Sequence, residues 1–252
     1  MIVGVVMARN EERHLARCLG SLDWTDANLV VIDDRTTDRT SIVAREHGAS
    51  VVERHFETFP RQRNAAIDTA SATYPGSWVV FVDPDERATP ALGQEIKAVV
   101  AQWGPGSPVG YWVPRRNIIW GGWIRHGGWS PDYQLRLLRT GQVRYDENRD
   151  VHELAIIDGT DAYLLERLIH FNYDRLDQFV AKQDLYSTLE ARRLRREGSR
   201  VRPQNLVLQP WREFLRRFVE LQGYKDGWRG LVLAVLLAWY SGVTYAKLAF
   251  GR

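Results

Sequence analysis

The chain has 252 residues, which is enough for one sizeable domain with an appendage. Its 34 Lys and Arg residues against 31 Asp and Glu residues give a net charge of +3, too small an excess for a dedicated nucleic-acid-binding protein. The single cysteine, Cys18, excludes an intrachain disulfide and is typical of a reducing compartment. The N-terminus lacks the basic and long apolar segments of a signal peptide, so we expect a cytoplasmic catalytic part.

The first hundred residues alternate short apolar runs with helical patterns, which predicts an α/β fold with a mostly parallel sheet. The first predicted strand covers residues 2–7, and a helix follows that opens near Asn10. Three more predicted strands follow in the order "NLVVIDD", "SVVER" and "SWVVFVD", separated by helices in "TTDRTSIVAREHG" and "RQRNAAIDTA".

Three of these strands end in polar clusters. The clusters are Ala8-Arg9-Asn10, Asp33-Asp34 and Asp83-Pro84-Asp85. In a parallel sheet the carboxyl ends of the strands form one edge, where ligands bind. The sequence therefore predicts a single binding edge that contains all three clusters.

The Asp83-Pro84-Asp85 cluster is a DxD pair that follows a buried strand directly. Its two carboxylates can reach one divalent ion or the water shell of that ion. Carboxylate oxygens suit Mg²⁺ and Mn²⁺, and Mg²⁺ commonly binds one or two carboxylates together with substrate phosphates. A DxD alone is a weak signal, but its place on the predicted binding edge makes it a candidate metal site.

The C-terminal third is predicted to be helical. A long, increasingly basic helix is predicted over residues 176–196, and two further helical stretches over 211–222 and 228–250. The segment "LVLAVLLAWYSGVTYAKLAF" is about as long as a membrane span. Because the preceding segment is amphipathic and basic, we expect the tail to lie in the inner leaflet rather than to cross it. The alternative is a helical pair that closes a soluble core or forms a dimer.

Several segments in order resemble family 2 inverting glycosyltransferases, which share the GT-A fold. They are "VVMARNEERHLARCLGSL", "VVIDDRTTDRT", "RQRNAAIDTA" and "VVFVDPDE". The continuation "GGWSPDYQLRLLRTGQVRYDENRDVHE" and the tail "GYKDGWRG" are similar to the bacterial subgroup that contains lipopolysaccharide-core glucosyltransferases. The resemblance implies a GT-A catalytic domain over residues 1–175 and a helical, membrane-associating extension over 176–252. Within the catalytic domain, residues 1–102 would be the nucleotide-sugar half and residues 103–175 the acceptor half.

The resemblance also implies roles for individual residues. Asp33, and with it Asp34, would bind the uracil ring, and Arg63 would approach the base or the phosphates. Asp83 would bind ribose or the metal's shell, and Asp85 the metal itself. The residues expected to bind the nucleotide sugar are Ala8, Arg9, Asn10, Glu12, Asp33, Asp34, Arg63, Asp83, Pro84, Asp85 and Trp129.

The expected reaction needs a carboxylate that removes a proton from the acceptor hydroxyl. Asp132 aligns with the general base of the family, and Glu153 is its competitor. His152 is a further candidate metal ligand beside Asp83 and Asp85. Arg136 could steady phosphates or lie on a solvated helical face.

These expectations describe an enzyme that uses a UDP-sugar, a divalent metal (Mg²⁺ or Mn²⁺) and a lipid-linked or saccharide acceptor, at the inner face of the cell membrane. A polyprenyl phosphate or a peptide side chain is the alternative acceptor. A nucleotidyltransferase would also use a carboxylate-held metal on an α/β sheet, but "ARNEE" lacks the glycine and lysine of its phosphate loop. An inactive nucleotide-binding scaffold is the remaining alternative.

Overall fold

The computed structural model describes residues 1–147, 155–199 and 204–250. Its strands, in chain order, are β1 Ile2–Ala8, β2 Ala27–Asp33, β3 Ser50–Arg54, β4 Trp78–Phe81, β5 Glu86–Ala88, β6 Gly110–Ile119, β7 Gly122–Trp123, β8 Tyr133–Arg139, β9 Val143–Tyr145, β10 Ala155–Ile157, β11 Asp161–Tyr163 and β12 Leu168–Tyr173. Its helices are α1 Glu12–Gly20, α2 Thr40–Glu46, α3 Phe59–Thr73, α4 Pro90–Ala101, α5 Leu176–Arg196, α6 Asn205–Leu215 and α7 Gly227–Phe250.

The main sheet of the described residues has the strand order β3-β2-β1-β4-β8-β6-β12-β5, with β7 and β11 also paired to β6. The first four strands of this order are parallel, which confirms the predicted α/β pattern. Strand β8 adds to β4 in the antiparallel direction, with Val80 opposite Leu137. Strands β9 and β10 form a separate pair.

The central strands are buried on both faces, which explains their unbroken apolar runs. Neighbouring residues on each strand point to opposite faces, so each strand contributes to two separate cores. Val6, Val30 and Val80 lie in one core cluster, and their neighbours Val5, Val31 and Val79 lie in the other; each of the six side chains is fully buried.

The chain forms two compact units. The first contains Met1–Arg115 and Tyr133–His170, and the second contains Arg116–Asp132 and Phe171–Arg252. The first unit holds the two cores described above. The second has its own apolar cluster, which contains Ile119, Ile124, Tyr173, Phe179 and Leu233.

The motif "GYKDGWRG" ties the last helices to a loop of the second unit. The carboxylate of Asp226 accepts hydrogen bonds from the backbone N–H groups of Arg125 and His126, the latter at 2.8 Å. A Cβ on Gly230 would lie 1.8 Å from the carbonyl oxygen of Gly223, so only glycine allows this approach. The motif is therefore a structural anchor within the second unit.

Two interpretations of the sequence were wrong in detail, one in the C-terminal helices and one on strand β8. The sequence pattern predicts that the helix after α5 begins at residue 211, but this helix, α6, begins at Asn205 and contains Pro210. Proline disfavours helix interiors, which is why the pattern misplaces this start. Arg136 lies on strand β8 with a relative exposure of 2%, so it is not on a solvated helical face.

Candidate active site

Parallel pairing brings the ends of β1 and β2 together at one edge of the sheet. Ala8 at the end of β1 pairs with Ile32, directly before Asp33. The side chain of Arg9, just beyond β1, places its Nε atom 3.6 Å from Oδ2 of Asp33. Two of the three predicted polar clusters therefore meet as expected, and the third follows β4, which pairs with the other side of β1.

A cavity of about 250 Å³ opens beside Asp33. Its lining is largely apolar and consists of Met7, Ala8, Arg9, Asp33, Phe56, Phe59 and Gln62. The rings of Phe56 and Phe59 meet edge to face with their centroids 5.0 Å apart. A flat aromatic ligand with one hydrogen-bond donor matches this combination of rings and a buried carboxylate.

Asp33 is held in its ionised state by Arg35. The guanidinium donates from Nε at 3.0 Å and from Nη2 at 2.8 Å to the two carboxylate oxygens, and the backbone N–H of Arg35 donates at 3.1 Å. These hydrogen bonds keep the pKa of Asp33 well below its usual range, although burial opposes them. Asp33 therefore acts as a fixed hydrogen-bond acceptor.

Asp34 lies at the same edge but has a different neighbour. Its Oδ1 atom is 3.0 Å from Nδ1 of His55. Among the described residues, Asp33, Asp34 and His55 form a group whose ligand atoms lie within 4.8 Å of one another and could hold a metal ion. The guanidinium of Arg35 already occupies the carboxylate of Asp33, which works against a second cation there.

The loop after β1 is fastened to the loop after β2. Asn10 has a φ of +55°, and its Oδ1 atom accepts a hydrogen bond from the backbone N–H of Thr37 at 2.8 Å. Glu12 accepts from the backbone N–H of Arg39 at 3.1 Å. Both residues were predicted to bind the nucleotide sugar; in the structure they shape the two loops at the edge of the Asp33 cavity.

The first DxD carboxylate is paired with a buried arginine. Arg136 donates through Nη1 to Oδ1 of Asp83 at 3.2 Å and through Nη2 to Oδ2 of the same carboxylate. The same Nη2 donates to Oε1 of Glu86 at 2.8 Å, and Arg115 approaches that oxygen at 3.3 Å. Glu86 is fully buried and accepts from the backbone N–H of Asp83 at 3.0 Å.

The two carboxylates that share Arg136 differ in pKa. Burial raises the pKa of Asp83, but the charge of Arg136, followed by that of Arg63, outweighs it and lowers the pKa overall. Burial raises the pKa of Glu86, and the charge of Arg136 only partly offsets this. Asp83 is therefore oriented and neutralised by Arg136 before any ligand binds.

Arg63, which was expected to approach the base or the phosphates, is near enough to Asp83 for its charge to lower the pKa of that carboxyl. It has a relative exposure of 9%, and its guanidinium carbon lies 5.0 Å from the ring centroid of Phe81 and 5.3 Å from that of Tyr145. Aromatic faces stabilise a desolvated cation. The positive charge of Arg63 is thus fixed beside the DxD.

The second DxD carboxylate faces a histidine. Oδ2 of Asp85 lies 3.4 Å from Nε2 of His170, and the two side chains are 38% and 7% exposed. The pairing of β12 with β5 sets His170 opposite Glu86. Pro84, between the two aspartates, accepts a hydrogen bond through its carbonyl from Arg87 at 2.6 Å.

The sequence reasoning missed His170, Phe56 and Phe59. His170 lies in the apolar strand "LIHFNY", where a lone histidine usually packs in a core, and only the pairing of β12 with β5 brings it to Asp85. The two phenylalanines in "RHFETFP" lie in a polar segment, where single apolar residues carry little information.

Negative charge accumulates around Asp85. The pKa of Glu11 is raised to about 7, first by burial and then by the charges of Asp85, Asp38 and Asp83. Carboxylate oxygens together with one imidazole nitrogen are a donor set that suits a divalent metal. The residues around Asp85 therefore fit a divalent cation.

Asp132 lies in the second unit and is held by an asparagine. Nδ2 of Asn117 donates to Oδ2 of Asp132 at 2.9 Å and to the carbonyl of Trp129 at 3.0 Å. The ring of Trp129 packs edge to face against Tyr173, with centroids 6.4 Å apart. His152 and Glu153, the other candidate ligand and base, lie outside the described residues.

Residues 5–168 match the family model described as glycosyl transferase family 2. The chain belongs to this family, and it is a glycosyltransferase with the GT-A fold, as the resemblance implied.

Its relatives include the lipopolysaccharide core biosynthesis glycosyltransferase LpsC of Rhizobium meliloti (strain 1021). That protein is 28% identical, and the alignment covers 96% of this chain and 90% of the relative. An uncharacterised glycosyltransferase of Rickettsia typhi is 23% identical, with coverages of 96% and 85%. Among solved structures, Staphylococcus aureus TarS 1-349 in complex with UDP is 13% identical, with a TM-score of 0.49 and coverages of 100% and 93%.

Proposed function

We propose that the protein transfers a hexose, glucose in the first instance, from a UDP-sugar to a hydroxyl group of a lipid-linked or lipopolysaccharide-core acceptor, with inversion at the anomeric carbon. The observation that carries the proposal is the sequence of groups along one edge of the first unit. An aromatic cavity with an ionised Asp33 lies at the end of β2, and Asp83, held by Arg136, and Asp85 beside His170 follow β4, two strands away in the same sheet. The cavity suits a nucleotide base, and the carboxylates with the histidine suit ribose and the cation that accompanies a diphosphate.

The uracil ring fits the cavity beside Asp33. Its N3–H group is a donor, and the buried carboxylate of Asp33 is an acceptor that stays ionised because Arg35 holds it. Phe56 and Phe59 provide apolar surface for the ring. Cytosine carries no hydrogen at N3, so the same site favours uracil.

Asp85 and His170 would hold the divalent cation, with Asp83 next to it as the acceptor for a ribose hydroxyl. When bound, the cation neutralises the negative charge that develops on the departing diphosphate. Arg63 contributes fixed positive charge on the same side. A cation held by Asp34 and His55 is the competing arrangement, and the charge of Arg35 works against it.

Asp132 would act as the general base that takes the proton from the acceptor hydroxyl. Inversion needs the attacking oxygen on the face of the sugar opposite the diphosphate, so the base belongs to different residues from those that bind the leaving group. Glu153 competes for this role.

The bilayer is the proposed partner of the second unit. Helix α7 exposes Trp228, Leu231, Val235 and Trp239, which recur at helical spacing on one face, with 43–68% of each side chain exposed. The segment Gly223–Phe250 is long and apolar enough to cross a membrane by composition alone. A peripheral position at the inner leaflet accords with a lipid-linked acceptor and a cytoplasmic donor.

The test is UDP release across a panel of nucleotide sugars, with and without Mn²⁺. We expect turnover with UDP-glucose above that with GDP- and CDP-sugars, dependent on the metal, and lowered at least a hundredfold in Asp85→Ala. Addition of lipopolysaccharide with a truncated core or of polyprenyl phosphate then identifies the acceptor by product mass. Full turnover in Asp85→Ala would overturn the metal assignment, and a preference for nucleoside triphosphates would indicate a nucleotidyltransferase.

A further inference from the structure

Asn117 is a buried polar residue of the second unit that the sequence reasoning did not single out. It lies near the end of β6 and has a relative exposure of 1%. Its amide nitrogen donates one hydrogen to Oδ2 of Asp132 at 2.9 Å and the other to the carbonyl of Trp129 at 3.0 Å. Its backbone carbonyl accepts from the N–H of Ile124 at 3.0 Å.

The orientation of this amide is determined by its two partners. A backbone carbonyl and an ionised carboxylate are both acceptors, so a rotation by 180° would place the amide oxygen against two acceptor oxygens. At 1% exposure, water cannot compensate such a loss, and an unsatisfied buried polar group is costly. The donor groups of Asn117 therefore point toward Asp132 whenever that carboxylate is charged.

We infer that Asn117 is a positioning residue that fixes the side chain of Asp132 and keeps it ionised for proton abstraction. The inference rests on the proposed role of Asp132 as the base. A hydrogen bond donated to a carboxylate favours its charged form and lowers its pKa. Because the amide is neutral, its hydrogen bond orients the carboxylate and lowers the pKa less than the hydrogen bond of a cationic donor would.

The hydrogen bond to the carbonyl of Trp129 also fixes the backbone near Asp132. Trp129 comes three residues before Asp132, and its N–H donates to the carbonyl of His126 at 3.2 Å. Asn117 on strand β6 thus fixes both the carboxylate of Asp132 and the loop that carries it. A residue that only filled space at this position would make neither bond.

The first variant is Asn117→Asp, which keeps the shape but faces Asp132 with a second carboxylate. Two adjacent carboxylates cannot both ionise readily, so the pKa of the base rises. We expect the acidic limb of the pH profile of kcat for UDP release from UDP-glucose, with water as acceptor, to move up by about one pH unit. The Kd for UDP with Mn²⁺ should change by less than twofold, since the donor site lies in the first unit.

The second variant, Asn117→Ala, removes the donor without adding charge and remains informative if the first variant folds poorly. It should move the acidic limb in the same direction, by less, and lower kcat roughly tenfold at neutral pH. A thermal melt and the Kd for UDP establish that each variant is folded.

The chain contains a matched control in Asn64. It also has a relative exposure of 1%, and its Nδ2 donates to the carbonyl of Tyr145 at 3.0 Å and to Oε1 of Glu147 at 2.8 Å. Asn64→Asp should lower the melting temperature as much as Asn117→Asp but leave the acidic limb in place. If both variants lose stability and neither moves the profile, Asn117 has only a structural role and the inference is wrong.

Asp132→Asn separates the inference from the function on which it rests. If this variant keeps full turnover, Asp132 is not the base, and both the assignment and the inference fail. If turnover is lost in Asp132→Asn while both Asn117 variants keep the wild-type profile, the proposed function stands and only the inference is overturned.

Discussion

At the scale of single residues, the site depends on which charges are already neutralised within the chain. Arg136 bridges the partly exposed Asp83 and the fully buried Glu86, and Arg35 holds Asp33 at the edge of the sheet. Asp85 instead lies beside a histidine and close to other carboxylates. The four acidic groups look equivalent in the sequence, but their partners differ: Asp33 is held by Arg35, Asp83 and Glu86 share Arg136, and Asp85 faces His170.

Replacement of Arg136 by methionine tests the internal ion pair. It would leave Asp83 and the fully buried Glu86 without their shared cation, and breaking a buried pair costs about 3–5 kcal/mol. We expect chemical denaturation to show a loss of this size in the free energy of unfolding, together with weaker UDP binding.

The added substitution Glu86→Gln should recover part of the stability, since it removes a fully buried carboxylate that has lost its partner Arg136. An additive loss in the double variant would mean that the two residues act independently and that the bridge contributes nothing.

The types of residue in the site could be predicted from the sequence, but their partners could not. Asp33, Asp83 and Asp85 end predicted strands, so periodicity alone placed them at one edge. Arg136 follows Asp83 by 53 residues and His170 follows Asp85 by 85 residues, and only the antiparallel addition of β8 and β12 brings them there. Strand pairing over such separations leaves no local pattern in a single sequence.

At the scale of elements, α5 and α7 together oppose a transmembrane crossing. The ammonium of Lys247, near the end of α7, lies 2.6 Å from Oδ1 of Asp184 and 2.9 Å from Oγ1 of Thr188 on α5. Arg195 of α5 donates to the carbonyl of Lys247 at 3.1 Å. Because these contacts bind α5 to α7, a crossing by α7 would carry the charged helix α5 into hydrocarbon, at a cost of several kcal/mol for each charge. The proposed contact of α7 with lipid is therefore a contact along its exposed face rather than a crossing.

Charge placed on the exposed face of α7 tests its contact with lipid. We expect the double variant Val235→Glu and Trp239→Glu to lose most of its co-sedimentation with vesicles that contain anionic lipid, because it buries two carboxylates against acyl chains. Leu165→Glu, at a side chain of the first unit with 81% exposure, is the control and should still co-sediment.

Helix α7 could instead face a second copy of the chain. In that case the double variant would convert a dimer to a monomer in light scattering and leave vesicle binding unchanged. These two results together would show that the exposed face of α7 is an interface between two copies of the chain and not a lipid-binding surface.

At the scale of the whole molecule, each compact unit is assembled from two separated segments. Residues 116–132, with Asn117 and Asp132, belong to the same unit as the C-terminal helices, and Tyr133–His170 belongs with the N-terminal sheet. Such interleaving leaves no linker in the sequence to mark the boundary between the units. The helices were easier to predict from the sequence than the units. Helix α5 was predicted at its observed bounds, since its periodicity is long and unbroken.

Ligand binding to the donor site should stabilise the molecule by an amount that grows with the logarithm of free ligand over Kd, which makes the melting temperature a test of where the cation lies. At a hundredfold excess over Kd, a ligand adds about 2.7 kcal/mol of stability, or roughly 5–10 °C for a chain of this size. We expect UDP with Mn²⁺ to give a larger shift than UDP alone, because the oxygens of the diphosphate are further ligands for the metal.

Asp85→Ala should remove the metal-dependent part of the shift in melting temperature and keep the part due to the base and ribose. Asp34→Ala is the matched control, since Asp34 belongs to the other candidate group of ligands. If the metal-dependent shift disappears in Asp34→Ala and persists in Asp85→Ala, the cation belongs to Asp34 and His55, and the leaving diphosphate must lie at the end of β2 rather than beside the DxD.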